Sequence, residues 1–207
     1  MFARTTTLLA RAAAIDTGVA HVHDEVWPAV QEMKGCVGLS VLADRASGRC
    51  IITSAWDDAD AMRDSEELAA QIRRRLRDEF ESGAGEVEEW EIAYLYRDHP
   101  VPDGSCVRVS WLAMPSERID VGVEQLRSTA IPEVENVEGF CNSGVMIDRD
   151  GGRLVLTVTF DSPDAARRSR GQGSVIRRFN SEEAGMRIVD VKEFELPLAH
   201  LRVPEMT

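Results

Sequence analysis

Apolar residues recur every three or four positions along residues 15–33, which is the spacing of one face of an α-helix. Pro28 falls inside this pattern, so the helix should kink or break there, because proline cannot donate a backbone hydrogen bond. Gly35 follows as the predicted end of the helix. The apolar positions are Ile15, Val19, Val22, Val26, Val30 and Met33.

Strand-like segments precede and follow this helix. Two of them form a hairpin around residues 44–49, where Asp and Gly suit a tight turn. A second helix begins near Asp58 and leads to a last strand. The order is therefore βαββαβ, the ferredoxin-like unit. The predicted strands are residues 3–9, 37–43, 50–56 and 87–96, and the second helix buries Ala61, Met62, Ser65, Leu68, Ala69, Ile72 and Leu76.

The whole pattern occurs twice. Residues 2–97 align without a gap with residues 106–201, and 27 of the 96 aligned positions are identical, so the chain is a duplicated domain. The second copy of helix two is predicted to be weaker, because Gly171 and Gly173 lie in its interior. The predicted organisation is a first repeat at 1–97, a linker at 98–105, a second repeat at 106–201 and a C-terminal tail at 202–207.

Charge and composition exclude several classes of partner. The net charge is −12 and no Lys/Arg-rich run occurs, which argues against nucleic acid and anionic membranes. No apolar stretch approaches the roughly 20 residues that span a bilayer. The N-terminal residues align with the start of repeat 2, so we expect them to be part of the fold and not a signal peptide. We therefore expect a protein without a membrane or nucleic-acid partner.

The four cysteines are not arranged as a disulfide framework. Each aligns with an apolar residue in the other copy, as expected of buried thiols in a reducing compartment. A cytoplasmic location is the corresponding expectation. The aligned pairs are Cys36 with Phe140, Cys50 with Leu154, Cys106 with Phe2, and Cys141 with Val37.

Arginine and glutamate recur at equivalent strand positions in both copies. Strict alternation along the last strand places Trp90, Ile92 and Tyr94 under the helices, and it places the charged residues on the opposite face. We expect a structural Arg–Glu network there, with a proton-handling site as the alternative. The predicted network consists of Arg4, Glu89, Glu91, Arg108, Glu193 and Glu195.

A series of motifs in the first repeat resembles the antibiotic biosynthesis monooxygenase family: Pro28, Gly35, Asp44-Arg45, Trp56-Asp57 and Ala61. The resemblance covers nearly the whole chain. Because family members are dimeric α/β barrels of two ferredoxin-like sheets, it implies an α+β fold in which two βαββαβ repeats form an intramolecular pseudo-dimeric α/β barrel. A monomer is the simpler expectation, with further homodimerisation through outer strand edges as the alternative.

The resemblance also implies an activity. Known members include cofactor-independent oxygenases of phenols and quinols, and a haem-degrading branch. The histidine that many members carry on helix two is replaced here by Ser65 and Ser169, and the first strand offers no Asn of the haem-degrading type. The prediction is a cofactor-independent, monooxygenase-like protein that binds a small aromatic or apolar molecule. The alternative is a non-catalytic ligand-binding or stress-response barrel.

Residues that differ between the copies are the candidate ligand contacts. Trp111 aligns with Thr7 and is predicted on the helix-facing side of the first strand. There its ring either stacks against a ligand or fills the hydrophobic core. Trp27 adjoins the kink, Trp56 closes the third strand, and Asn142 is a candidate polar anchor. Each also has a purely structural interpretation, namely helix packing, core filling or satisfaction of backbone groups.

Two histidines are the candidate catalytic bases. His21 and His23 lie two positions apart on helix one, so their side chains point about 200° apart and cannot share a metal from one face. One of them is a candidate general base beside a bound ring, and solvated surface histidines are the alternative. No spacing of Cys, His or carboxylates suggests a metal site, and no phosphate loop or dinucleotide motif occurs.

Overall fold

The computed structural model describes residues 1–170 and 185–201, apart from the side chain of Leu201. The prediction for Gly171 and Gly173 and the predicted tail at 202–207 lie outside the described residues. The strands are β1 Phe2–Leu9, β2 Cys36–Asp44, β3 Arg49–Trp56, β4 Glu86–Arg97, β5 Cys106–Ala113, β6 Phe140–Asp148, β7 Arg153–Phe160 and β8 Arg187–Leu201. The helices are α1 Ile15–His21, α2 Trp27–Gln31, α3 Ala59–Asp64, α4 Glu66–Glu79, α5 Ile119–Gln125, α6 Ile131–Glu135 and α7 Pro163–Ser169.

The strands are hydrogen-bonded in the order β1-β3-β2-β8-β5-β7-β6-β4, and β4 closes the ring on β1. Helices follow the first and third strands of each repeat, as the βαββαβ pattern requires. The predicted α+β fold of two ferredoxin-like repeats in a pseudo-dimeric α/β barrel is confirmed.

The chain divides into two compact units whose borders fall inside the long strands β4 and β8. Unit 1 contains Met1–Trp90 and the described residues from Glu195 onward, and unit 2 contains Glu91–Phe194. Within unit 1, β2 pairs with the second half of β8, and within unit 2, β6 pairs with the second half of β4. Each unit therefore includes a strand segment that belongs, by sequence, to the other repeat.

Helix one contains a π-helical turn before its proline in both repeats. Val22–Val26 joins α1 to α2 in repeat 1, and Leu126–Ala130 joins α5 to α6 in repeat 2. Each turn ends immediately before the first residue of the next helix, where proline is the second residue. A π turn changes the hydrogen-bond register, which suits a residue without an N–H and keeps the chain helical. The predicted kink is thus a change of helix type at Pro28 and Pro132.

Helix two is divided at Ser65, where α3 ends and α4 begins. The Asp58 side chain accepts a hydrogen bond from the Ala61 amide (2.8 Å), and its twin Ser162 accepts one from Ala165 (3.2 Å), so both helices carry side-chain N-caps. Ser65 is fully buried, and it becomes important for the cleft described below.

A β-bulge changes the facing of the last strand in each repeat. The register of β4 against β6 shifts between Ile92 and Tyr94, so alternation cannot be carried through this point. Tyr94 does pack in a helix-covered core, as predicted, but Trp90 lies on the opposite face and donates from Nε1 to Thr5 (3.1 Å). The predicted facing of Trp90 and Arg4 is therefore wrong: Arg4 lies under the helices.

Each unit has its own apolar core between sheet and helices. The core of unit 1 includes Ile15, Val22, Trp56, Leu76 and Phe80, and that of unit 2 includes Ile119, Leu126, Phe140, Leu156 and Phe160. In the described part of the chain, no helix is long and apolar enough to cross a membrane. All four cysteines are described, and none forms a disulfide. Burial raises the pKa of the Cys50 and Cys141 thiols to about 11.

Gly35 offers a test of the junction between helix one and β2. It has a φ of +78°, and an added Cβ would lie 2.6 Å from Ala61 Cβ. We expect Gly35→Ala to lower the free energy of unfolding by about 1–3 kcal/mol, because it combines left-handed strain with overpacking. Urea denaturation measures this.

Gly83→Ala is the matched control, because its added Cβ meets nothing within 4 Å and its φ lies outside the left-handed region. It should change stability by no more than about 1 kcal/mol, in the stabilising direction. Equal destabilisation by both substitutions would contradict the assignment of the tight contact between Gly35 and Ala61.

Candidate functional site

A cleft opens in unit 1 between the sheet and helices α2 and α4. We call it the inner cleft. It holds about 450 Å³ of space including its open mouth, but its walls lie so close together that only a small part admits a water-sized molecule. Apolar side chains form most of the wall: Val26, Val30, Met33, Leu39, Ile52, Trp56, Ala69, Ile72 and Leu76. A ring-sized ligand therefore requires flexible wall residues such as Met33 to move.

The polar group of this cleft is the guanidinium of Arg4, a residue that is only 4% exposed. Its Nε and Nη2 donate to Glu89 Oε1 (3.1 and 2.9 Å), and Nη2 also donates to the carbonyl oxygen of Met62 (2.9 Å). Nη1 donates to the hydroxyl of Ser65 (2.8 Å), which in turn donates to Met62 (2.6 Å). The break between α3 and α4 thus supplies both a hydroxyl and a carbonyl acceptor for a buried cation.

The same arrangement is repeated in unit 2 with nearly the same geometry. Arg108 Nη1 donates to Ser169 (2.7 Å), and Arg108 Nε and Nη2 donate to Glu193 (3.2 and 2.7 Å). Hydrogen bonds from Arg170 and then Arg108 hold the pKa of Glu193 below its usual value, although burial opposes this shift. Both copies therefore require the Arg–Ser–Glu arrangement.

One N–H of Arg4 remains available within the part of the chain that the structure describes. A guanidinium has five N–H donors, and four of those of Arg4 are bonded to Glu89, Ser65 and Met62. Nη2 of Arg4 also forms an ion pair with Glu66 Oε2 (3.2 Å). The fifth belongs to Nη1, the nitrogen beside Ser65. Because a buried donor without a partner is costly, a ligand oxygen in the cleft is a favourable acceptor for it.

Two further polar side chains line the inner cleft near Arg4. Ser54 accepts a hydrogen bond from the indole of Trp56 (3.1 Å), which fixes the ring of that buried tryptophan in the wall. Thr6, two residues after Arg4 on the same face of β1, also lines the cleft. No His, Asp or Glu is among the described residues of its lining. The cleft is therefore largely apolar, and its cationic hydrogen-bond donors are Arg4 and Arg73.

Among the candidate ligand contacts, Trp56 is the one that lies in the inner cleft, and it is 1% exposed. Trp111 is not on the helix-facing side. Arg108 faces the helices, so Trp111, three residues later, points to the opposite face of the sheet, where its ring meets that of Phe194 edge-on (6.2 Å). The predicted facing of Trp111 is wrong for the same reason as that of Trp90. Asn142 accepts a hydrogen bond from Thr159 (2.8 Å) in unit 2.

The candidate catalytic histidines do not line the inner cleft. Nδ1 of His21 lies 3.6 Å from Oε1 of Glu25, and Nδ1 of the exposed His23 lies 2.7 Å from Oδ1 of Asp24. His23 is also near His200, whose ring stacks on Trp27 with centroids 4.7 Å apart. Desolvation and the neighbouring His23 lower the pKa of His200. Trp27, His23 and His200 thus form a separate aromatic cluster at the end of β8.

Glu91 and Glu195 belong to a second duplicated network that the sequence pattern did not separate from the first. Arg45 Nε donates to Glu195 (2.7 Å) and its Nη2 donates to Asp16 (2.7 Å), which ties the hairpin turn to the start of α1. Arg149 makes the equivalent bonds to Glu91 and Asp120 in unit 2. Hydrogen bonds to the paired carboxylates raise the pKa of both arginines. These exposed networks are structural and lie away from the inner cleft.

No group of three or more His, Cys, Asp or Glu side chains in residues 1–170 and 185–201 is arranged to hold a metal ion.

The cleft residues that the sequence pattern did not predict are Arg4 and its partner Ser65. Both are identical in the two copies, at Arg108 and Ser169. This joint retention of a strand arginine and a helix serine was the available signal. It could not be used while Arg4 was assigned to the wrong face of the sheet.

Comparisons with known proteins give relatives and a shared fold. No family model matches the chain. Protein Rv2557 of Mycobacterium tuberculosis, described as uncharacterized, is 48% identical over 206 residues, covering 100% of this chain and 92% of its own. A putative monooxygenase from Lactobacillus acidophilus has a similar fold, with a TM-score of 0.69, 9% identity and coverage of 97% of this chain and 96% of its own. An anthrone oxidase-like protein has a TM-score of 0.65, 10% identity and coverage of 99% and 94%.

The hydroxyl of Ser65 can be tested by its removal. We expect Ser65→Ala to lower the free energy of unfolding by about 1–3 kcal/mol, because it leaves a buried N–H of Arg4 without its acceptor. Ser82→Ala is the control: that hydroxyl makes one long bond at an exposed site (3.4 Å), so a change within about 0.5 kcal/mol is expected. Equal effects of the two substitutions would contradict a stabilising role for Ser65.

His200 predicts a pH dependence of stability. Its pKa is lowered in the folded state, so the folded protein favours the neutral ring. This contribution is complete above the unfolded-state pKa of about 6.5 and is lost as the pH falls through the lower, folded-state value. We expect Tm to fall more between about pH 7.5 and pH 5 in the wild type than in His200→Tyr, which copies the twin residue Tyr96. Differential scanning calorimetry measures this.

The exposed linker residue supplies the control for His200. His99→Tyr should keep the wild-type dependence of Tm on pH, because its side chain is 41% exposed and pairs only with the adjacent Asp98 among the described residues. An unchanged dependence in His200→Tyr would show that the stacked ring does not couple protonation to folding.

Proposed function

The chain belongs to the family of the Mycobacterium tuberculosis protein Rv2557, and we propose that its unit 1 binds a small aromatic molecule in the inner cleft, with an oxygen atom of that molecule held by Arg4. The observation that carries this proposal is the available N–H of a buried arginine in a largely apolar cleft. Binding sites for small molecules combine these features, namely apolar walls and a few polar groups that fix orientation.

The chemistry of the cleft selects the type of ligand oxygen. A guanidinium that is already bonded to Glu89 still carries a donor, and hydrogen bonds from charged donors to ionised oxygens are stronger than neutral ones. Phenolate, enolate and carboxylate oxygens therefore suit Arg4 better than ether or alcohol oxygens. Trp56 and the aliphatic wall suit the apolar ring that carries such an oxygen.

Cofactor-independent oxygenation is the second candidate function. It is favoured by the fold shared with the putative monooxygenase of Lactobacillus acidophilus and with the anthrone oxidase-like protein. Arg4 would promote it by stabilising the ionised, electron-rich form of a phenol or enol. Since no described lining residue is a carboxylate or imidazole, the proton must leave without a base from this wall. Binding without catalysis is the simpler use of the site.

Anthrone serves as the test ligand, because it has a fused aromatic ring system and an oxygen that ionises. We expect the wild type to bind it, and Ala69→Phe to weaken binding by about tenfold or more, because the added ring fills the cleft and overpacking costs at least about 1 kcal/mol. Arg63→Met is the control, since Arg63 is exposed on α3 and bonds to Asp60. Isothermal titration calorimetry measures both.

Oxygen consumption in the same solutions separates the two candidate functions. Uptake by the wild type that is lost in Ala69→Phe supports oxygenation, whereas binding without uptake supports a non-catalytic ligand-binding protein. Anthrone affinity that is equal in the wild type and Ala69→Phe would overturn the proposed site itself.

A further inference from the structure

A second cleft in unit 1 lies directly beside the inner cleft and is lined by arginines. We call it the outer cleft. It runs between α4 and the strands β1 and β4, and it holds about 550 Å³ of space including its open side. Arg73, Arg74 and Arg77 of α4 lie along one wall, and the apolar side chains of Leu8 and Val87 lie along another. Thr6 and Arg73 line both clefts, so the two spaces are neighbours.

Three guanidinium groups converge here because of helical spacing. Arg73 and Arg77 are four residues apart and Arg74 and Arg77 are three apart, which places neighbouring side chains on one side of α4. Like charges at this spacing repel and destabilise a helix. The chain as a whole carries a net charge of −12, yet none of the described residues that line this cleft is acidic. An anion bound in the cleft would offset this repulsion.

The protein itself supplies only part of the counter-charge to this cluster. Arg73 forms a short hydrogen bond with Glu66, within the same helix. Arg74 and Arg77 have no carboxylate partner in the described ranges 1–170 and 185–201. By contrast, Arg75 on the same helix reaches toward Glu25 (3.8 Å) and does not line the cleft. The unbalanced charge is therefore confined to the side of α4 that faces the outer cleft.

We infer that the outer cleft binds the oxyanion of an aromatic carboxylate, sulfonate or phosphate whose ring occupies the inner cleft. This inference rests on the proposed function and specifies its ligand class. The planar fork of arginine matches the oxygens of carboxylates and phosphates. Because Thr6 and Arg73 join the two spaces, one small molecule can present an apolar ring to Trp56 and an anionic group to Arg74 and Arg77.

Two fluorescent dyes with the same ring system test the inference. Anilinonaphthalene sulfonate carries an oxyanion, and neutral phenylnaphthylamine lacks it. We expect the sulfonate to bind the wild type about tenfold more tightly than the neutral dye, as one additional charge-assisted hydrogen bond provides. Added salt should reduce this difference, because the guanidinium groups of the outer cleft are partly exposed to solvent.

The matched variants are the double substitution Arg74→Gln with Arg77→Gln and the single substitution Arg75→Gln on the same helix. The double variant should lose the roughly tenfold advantage of the sulfonate and leave the affinity of the neutral dye unchanged. Arg75→Gln should leave both affinities unchanged. Sulfonate affinity that does not respond to the double substitution, or that responds equally to Arg75→Gln, would overturn the inference.

Two further arms separate failure of this inference from failure of the proposed function. If Ala69→Phe weakens neither dye, the inner cleft is not the site of the ring and the proposed function fails. If it weakens both dyes equally while the arginine variants have no effect, the proposed function stands and the outer cleft binds no oxyanion. In a separate titration of the wild type, benzoate and phenyl phosphate are added as competitors of the bound sulfonate dye. Displacement by either identifies the preferred oxyanion, and displacement by neither contradicts the inference.

Discussion

Burial of Arg4 is the constraint on which the rest of unit 1 depends. A buried guanidinium requires acceptors for nearly all of its donors, and it finds them in Glu89 on β4 and in Ser65 and Met62 at the break in helix two. One side chain therefore fixes β1, β4 and the helices α3 and α4 relative to one another. Arg108 imposes the same requirement in unit 2. This explains why both copies keep the arginine, the serine and the glutamate although about seven in ten aligned positions differ.

The same interaction prepares a site. Because Arg4 is held by hydrogen bonds to three residues and by an ion pair with Glu66, its remaining N–H has a defined position in the wall of a largely apolar cleft, and binding an oxygen there requires little reordering of the arginine. The helix break at Ser65 does two things: it supplies the acceptors that Arg4 needs, and it starts α4, which carries Arg73, Arg74 and Arg77 past the mouth of the cleft. The inner and outer clefts are thus consequences of one local arrangement.

Much of the fold could be predicted from periodicity, because the strand and helix patterns appear twice and each copy supports the other. The caps at Asp58 and Ser162 and the interruptions at Pro28 and Pro132 follow from residue chemistry.

The facing of the strands was predicted wrongly at one identifiable point. A bulge after Ile92 shifts the alternation, and a bulge cannot be read from alternating residues that are apolar on both sides of it. This shift and its equivalent in β8 misassigned Arg4 and Trp111, and the inner cleft with them. The stacking of Trp27 on His200 joins residues that are far apart in sequence, so no local pattern could predict it.

The proposed site depends on a hydrogen bond from Arg4 to a ligand oxygen. Side-chain NMR of the protein with labelled arginine guanidinium groups tests it directly during titration with anthrone. Arg45, clamped between Asp16 and Glu195, serves as the internal reference. The expected result is a saturable shift of the Arg4 side-chain signals with the Arg45 signals unchanged. Saturable binding of anthrone that leaves the Arg4 signals unmoved would contradict it.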